Sequence, residues 1–152
     1  MKVSEYRIVL SQRATFNERR AAMFICENVK LVCGKKLPIV SDSEEPSPLE
    51  IVVGKTSREV LDGVCFERNS NGTWEFVLTK CGERLYLSGL GIEPDDRPYT
   101  SAYNPLDDGA VGTALAAYHF VERILGYDFI YSPFEDFPES PELEMPEEVN
   151  NF

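Results

Sequence analysis

The chain has 152 residues and a formal net charge of −11, from 26 acidic and 15 basic side chains, and 43% of its residues are hydrophobic. That is enough apolar material for one domain with a core and too little for two. An acidic chain with no large basic cluster excludes a nucleic-acid or anionic-membrane surface.

No apolar run approaches the roughly 20 residues of a membrane span. Residues 1–7 lack the apolar centre of a secretory signal, so the chain reads as cytoplasmic. The charge is uneven: residues 134–152 hold Glu135, Asp136, Glu139, Glu142, Glu144, Glu147 and Glu148 and no Lys or Arg. Cys26, Cys33, Cys65 and Cys81 form no C-x-x-C pair, and there is a single histidine. The four thiols therefore read as reduced, and neither a metal nor a cofactor is expected.

In chain order, residues 6–10 are rich in β-formers and read as a strand. Thr15-Phe16-Asn17-Glu18 has the form of a capping box. The next run puts Ala22, Ile25, Val29 and Val32 on one helical face, with Gly34 as the stop. Residues 37–40 form a second strand. A polar loop with Pro46 and Pro48 leads to a third strand at 49–53, which Gly54 ends. Residues 55–62 suit a short helix or a turn. Strands at 63–67, 73–80 and 84–88 follow at hairpin spacing.

In these strands Trp74, Phe76 and Leu78 point one way, as do Leu85 and Leu87, while Arg84, Tyr86 and Ser88 point the other. A sheet with one polar face carries its helices on the opposite face. The fold class expected is therefore α+β, a two-layer sandwich with a mixed sheet and two main helices on one face. Residues 89–109 are a long irregular segment. The second main helix runs from about 110 to 125, with Val111, Leu115, Tyr118, Val121 and Leu125 as its apolar face and Gly126 as its stop. A last strand is expected at 127–131. The domain occupies residues 1–133, and residues 134–152 read as an acidic, proline-rich tail or linker. In it Phe134 and Phe137 pack back on the domain, and the part beyond about Glu142 needs a partner for order.

Few motifs point to catalysis. Val53-Gly54-Lys55-Thr56 resembles the end of a phosphate-binding loop, but position 49 is Leu49 where the motif needs glycine. Gly89-Leu90-Gly91 lacks the third small residue, position 94 being Pro94. His119 falls on the polar side of its helix and reads as a surface residue. Asp95-Asp96 and Asp107-Asp108 are adjacent loop carboxylates, poorly suited to span a glycosidic bond. Asn71-Gly72-Thr73 reads as turn chemistry. Arg97, Tyr99, Tyr103 and Asn104 mix aromatic and polar groups in the long loop, and are the candidate ligand-binding residues.

Several segments, in order, carry a family likeness: Glu18-Arg19-Arg20-Ala21-Ala22, Gly34 to Val40, Glu50-Ile51-Val52-Val53-Gly54-Lys55-Thr56, Leu85 to Gly89, Gly112 to Tyr118, and Phe120 to Tyr127. From Tyr6 to Pro138 the chain resembles the N-terminal domain of the α-glucuronidases and related bacterial glycoside hydrolases, and more distantly the first domain of β-N-acetylhexosaminidases. The resemblance implies a zincin-like, hexosaminidase N-terminal-domain-like sheet. It implies a non-catalytic accessory domain whose partner is a catalytic (β/α)₈ barrel in cis or another protein. No family catalytic residue falls on this chain, so it is not expected to be an enzyme alone. The sequence departs from the pattern in that no barrel follows, and in an insertion-like segment around residues 94–104. The alternative is a stand-alone carbohydrate-binding module using the 89–109 loop.

Overall fold

The structure is a computed structural model, and it describes residues 1–68, 74–91, 112–126 and 140–151. Strands β1 (Arg7–Leu10), β2 (Ile39–Ser41), β3 (Glu50–Val53), β4 (Phe76–Cys81), β5 (Arg84–Gly89) and β6 (Asn150–Asn151) make one mixed sheet in the order β2-β1-β3-β5-β4-β6. β2, β1, β3 and β5 run parallel. β4 is antiparallel to both β5 and β6. The helices are α1 (Phe16–Cys33), α2 (Arg58–Asp62) and α3 (Gly112–Arg123). The class is α+β, and the two main helices, α1 and α3, share one face of the sheet. None of the described helices is long and apolar enough to cross a membrane.

α1 forms as its sequence dictates. The Thr15 side chain accepts from the Glu18 backbone N–H, and the Glu18 carboxylate accepts in return from the Thr15 N–H, which satisfies two otherwise open donors of the first turn. Gly34 ends the helix at φ 76°, a conformation that costs glycine little, and its N–H donates to the Lys30 carbonyl. Ala22, Ile25, Val29 and Val32 are buried against Ile8, Ile51, Val53, Leu85 and Leu87 of the sheet.

α3 is turned relative to expectation. Ala116, Ala117, Phe120, Val121, Ile124 and Leu125 are buried, whereas Tyr118 is 47% exposed. Its first turn lies against the end of β5: a Cβ on Gly112 would stand 2.1 Å from the Glu75 carbonyl oxygen and 2.8 Å from the Gly89 Cα. That close approach puts the small residues toward the sheet and leaves Tyr118 at the rim, edge-on to Phe24 with ring centroids 4.8 Å apart. His119 is half-buried, its ring stacked on Phe76 at 4.7 Å, and so is not the surface residue its helical position suggested.

The second face is not bare, which corrects the expectation of helices on one side only. Val9, Val52 and Tyr86 form a smaller apolar cluster there with Val40, Val64 and Phe66, and α2 lies on the same side. Residues 64–68 form no strand. They alternate, with Val64 and Phe66 half-buried and Cys65 and Glu67 exposed, because extended chain lies over the sheet without pairing to it. Val77, between Phe76 and Leu78 in β4, is also fully buried.

Trp74 is 66% exposed, contrary to the expected core position. It precedes the ladder, which begins with Phe76 opposite Gly89. Residues 140–151 also differ from the extended tail expected. The Val3 N–H donates to Leu143, Met145 N–H to Met1, and Lys80 N–H to Val149. Met145 is 4% exposed within the main core, and Leu143 and Val149 pack against it. A handful of apolar anchors suffices because the segment completes an existing sheet edge rather than folding alone. The expected strand at 127–131 and the anchors Phe134 and Phe137 lie outside the described residues.

Two truncations separate these placements. Trp74→Ala should cost less than about 1 kcal/mol in urea unfolding, as an exposed change. Met145→Ala should cost about 2–5 kcal/mol, as a buried one. The reverse order of losses would show that the strand and tail are seated differently.

Candidate functional site

In an open sheet of parallel strands, ligands bind outside the carboxyl ends where adjacent connections diverge. β1 and β3 are such a pair. The chain leaves β1 through residues 11–15 into α1 and returns as β2 on one side. It leaves β3 through residues 54–57 into α2 and goes on to β4 and β5 on the other side. A cleft of about 610 Å³ opens there. It is lined by Ser11, Arg13, Thr15 and Glu18 from the first connection, Asp42 after β2, Lys55, Thr56 and Ser57 after β3, Arg68, Ser88, Gly89 and Gly91 around the end of β5, and Thr113 of α3.

Glu18 holds the two connections together. Its Oε1 accepts from the Thr15 N–H at 2.9 Å, and its Oε2 accepts from the Lys55 N–H at 2.8 Å. Gly54 makes this possible: it sits at φ 76°, and a Cβ there would lie 1.8 Å from the Glu18 Oε2. Burial pushes the Glu18 carboxyl above the ordinary carboxylate range, against the backbone hydrogen bonds that draw it down. A raised folded value means that this group favours folding fully below its unfolded pKa. That contribution is lost as pH rises through the folded value.

On the far side of the cleft, Thr113 Oγ1 accepts from the Gly89 N–H at 2.9 Å, which ties α3 to β5. The Arg68 guanidinium donates to both carboxylate oxygens of Glu59 and, at 2.9 Å, to Ser88 Oγ. Asp42 accepts from the Gln12 and Ser57 backbone N–H groups.

The other charged centre lies at the amino ends of the same strands. The Glu50 side chain has no solvent exposure and receives three guanidinium groups: Arg7 at 2.7 Å, Arg58 at 2.9 Å and Arg84 at 2.9 Å. Arg84 also binds both oxygens of Asp62, and the Tyr86 hydroxyl donates to Asp62 at 2.5 Å. Burial alone would raise the Glu50 carboxyl. The hydrogen bonds from Arg58 and Arg7, with the charge of Arg58 and the Arg84 bond, outweigh it and hold the group below its ordinary value.

The candidate ligand-binding residues Arg97, Tyr99, Tyr103 and Asn104, and the pairs Asp95-Asp96 and Asp107-Asp108, lie outside the described residues. Val53-Gly54-Lys55-Thr56 is a strand end and a turn clasped by Glu18. Among the described residues no three His, Cys, Asp or Glu side chains could together hold a metal ion. His119 Nδ1 is buried without a hydrogen-bond partner and lies outside the cleft lining. Sequence reasoning found Glu18 as a cap but missed its bond to Lys55, and it missed Arg13 and Arg68 altogether. The signal available was the divergence of the two connections, legible once strand order is known. No protein-family model matches the chain, and no curated protein sequence matches it either.

Two outcomes follow. Glu50→Ala strands three buried or half-buried guanidinium groups and should cost about 3–5 kcal/mol. In the unsubstituted protein the Glu50 contribution is present above its unfolded pKa, near 4.5, and is lost as pH falls through the lower folded value, so acid unfolding should be shallower in the variant. Gly54→Ala should cost about 1–3 kcal/mol from the left-handed backbone, and more from displacing Glu18. Gly63→Ala, at φ 67° with open space around it, isolates the backbone part. In a Glu18→Ala background the excess at Gly54 should vanish; an unchanged excess would show that the clasp is not its cause.

Proposed function

We propose that the chain is a non-catalytic accessory domain of a glycoside hydrolase-associated, carbohydrate-active protein, and that it acts by packing against a catalytic (β/α)₈ barrel or a partner protein. The observation that carries this reading is the inverted polarity of α2. Arg58 and Glu59 are buried at 3% and 7% exposure, while Val60 and Leu61 stand out at 85% and 55%. A surface helix ordinarily does the reverse. Its polar groups are drawn inward by Glu50, Arg68 and Arg84, so its apolar side is left facing outward, where a packed neighbour would cover it. The two main helices on one face accord with the zincin-like, hexosaminidase N-terminal-domain-like arrangement that the family resemblance implies. The four free cysteines suit a cytoplasmic location.

A second reading, a carbohydrate-binding module using the 89–109 loop, is favoured by one feature: Gly89 and Gly91, where that loop begins, line the cleft.

The test has two parts. The purified chain should not turn over aryl glycosides or glucuronides. Turnover that a point mutation in this chain abolishes would overturn the reading. A Val60→Asp, Leu61→Asp variant should keep its melting temperature within a few degrees, as expected for exposed positions. The same variant should no longer co-purify with a co-expressed (β/α)₈ glycoside hydrolase barrel that the unsubstituted chain retains. Undiminished co-purification would count against α2 as the contact.

A further inference from the structure

We propose that the cleft at the carboxyl ends of β1, β3 and β5 binds a small molecule carrying a phosphate or carboxylate group, held between the side chains of Arg13 and Lys55. The inference does not depend on the accessory-domain reading. At about 610 Å³ the cleft is in the size range of small-molecule sites.

The charges in its walls differ in availability. Both oxygens of Glu18 accept from backbone N–H groups, as do both oxygens of Asp42. Arg68 is committed to Glu59 and Ser88. Arg13 and Lys55 are exposed, and neither side chain has an ion pair or hydrogen bond among the described residues. They rise from the two connections that diverge at the β1–β3 boundary, so they face the cleft from separate walls. Among the described residues, the charged side chains in the cleft that no protein group engages are therefore the two cations.

The hydroxyls agree. Ser11 Oγ accepts from the Arg13 N–H and Thr56 Oγ1 from the Arg58 N–H, which leaves each O–H hydrogen to be donated elsewhere. Two cations and two hydroxyl donors in an acidic chain suit one anionic group on a small molecule, not a polyanion.

The experiment is amide NMR titration of the full chain with inorganic phosphate, glucose 6-phosphate, gluconate and, as the neutral control, glucose, each to about 20 mM, which detects binding down to the millimolar range. Saturable shifts at the amides of Lys55, Thr56 and Gly89 are expected with at least one of the three anions and not with glucose. The comparison of phosphate with gluconate tells which anionic group the cleft takes. An Arg13→Ala, Lys55→Ala variant should keep the native spectrum and lose affinity by about tenfold or more. No saturable shift with any anion, equal shifts with glucose, or unchanged affinity in the double variant would each overturn the proposal.

Discussion

A carboxylate with no access to water, Glu50, sits among the guanidinium groups of Arg7, Arg58 and Arg84. Arg7, Glu50 and Arg84 open β1, β3 and β5 and lie in one row across the sheet, since Arg7 pairs with Glu50 and the next residue, Ile51, pairs with Leu85. Such a cluster offers little over a well-packed apolar one, because desolvating the charges offsets most of their attraction. Its consequence is specificity. A slip of one residue in β3 would turn Glu50 to the helix face, among Ile8 and Leu85, and leave three arginines without their acceptor. The register that buries Ile51 and Val53 under α1 is thus the register that satisfies Glu50.

The same cluster shapes what covers the second face. Arg58 donates to the carbonyls of Asp42 and Glu44, Arg7 to that of Glu45, and Arg84 to that of Ser47, so the proline-containing connection from β2 to β3 is held by the arginines that hold Glu50. Asp62 binds Arg84 and Tyr86 from the other end of α2. A five-residue helix is too short to be stable by itself. Here it is fixed by its charged side chains, and its apolar residues are the ones left over. The inward turn of Arg58 follows from the burial of Glu50, and Arg68 holds Glu59 in the same sense.

Much of this was legible in the sequence where local chemistry decides the outcome. The capping box at Thr15 and Glu18, the stop at Gly34 and the 3.6-residue period of α1 agree with one another, and α1 is where they place it. The phase of α3 was not legible, because it depends on the contact of Gly112 with Gly89, two residues far apart in the chain. Nor was the irregular course of residues 64–68. Period-two alternation reports an extended chain over an apolar surface, and it does not distinguish a paired strand from an unpaired cover. The segment at 140–151 looked unable to fold by composition, and composition is silent about an open edge of β4 waiting to be paired. In the cleft, Glu18 was visible as a cap, but its second bond, to Lys55, needed β3 to be set beside β1.

Two of the buried glutamates, Glu50 and Glu18, stand at opposite ends of the same short strands and respond to protons in opposite senses. Glu50 supports the fold when ionised, so its contribution fades toward acid. Glu18 is raised by burial, so its contribution fades as pH rises. At neutral pH the amino-end cluster is therefore at full strength, while ionising Glu18 in the clasp over the cleft is opposed by its burial. Burial thus works against the charge of Glu18 at one end of the sheet, while at the other the arginines outweigh burial at Glu50. The carboxyl ends of β1 and β3, where the connections diverge and where Arg13 and Lys55 line the cleft, are the end at which Glu18 is buried.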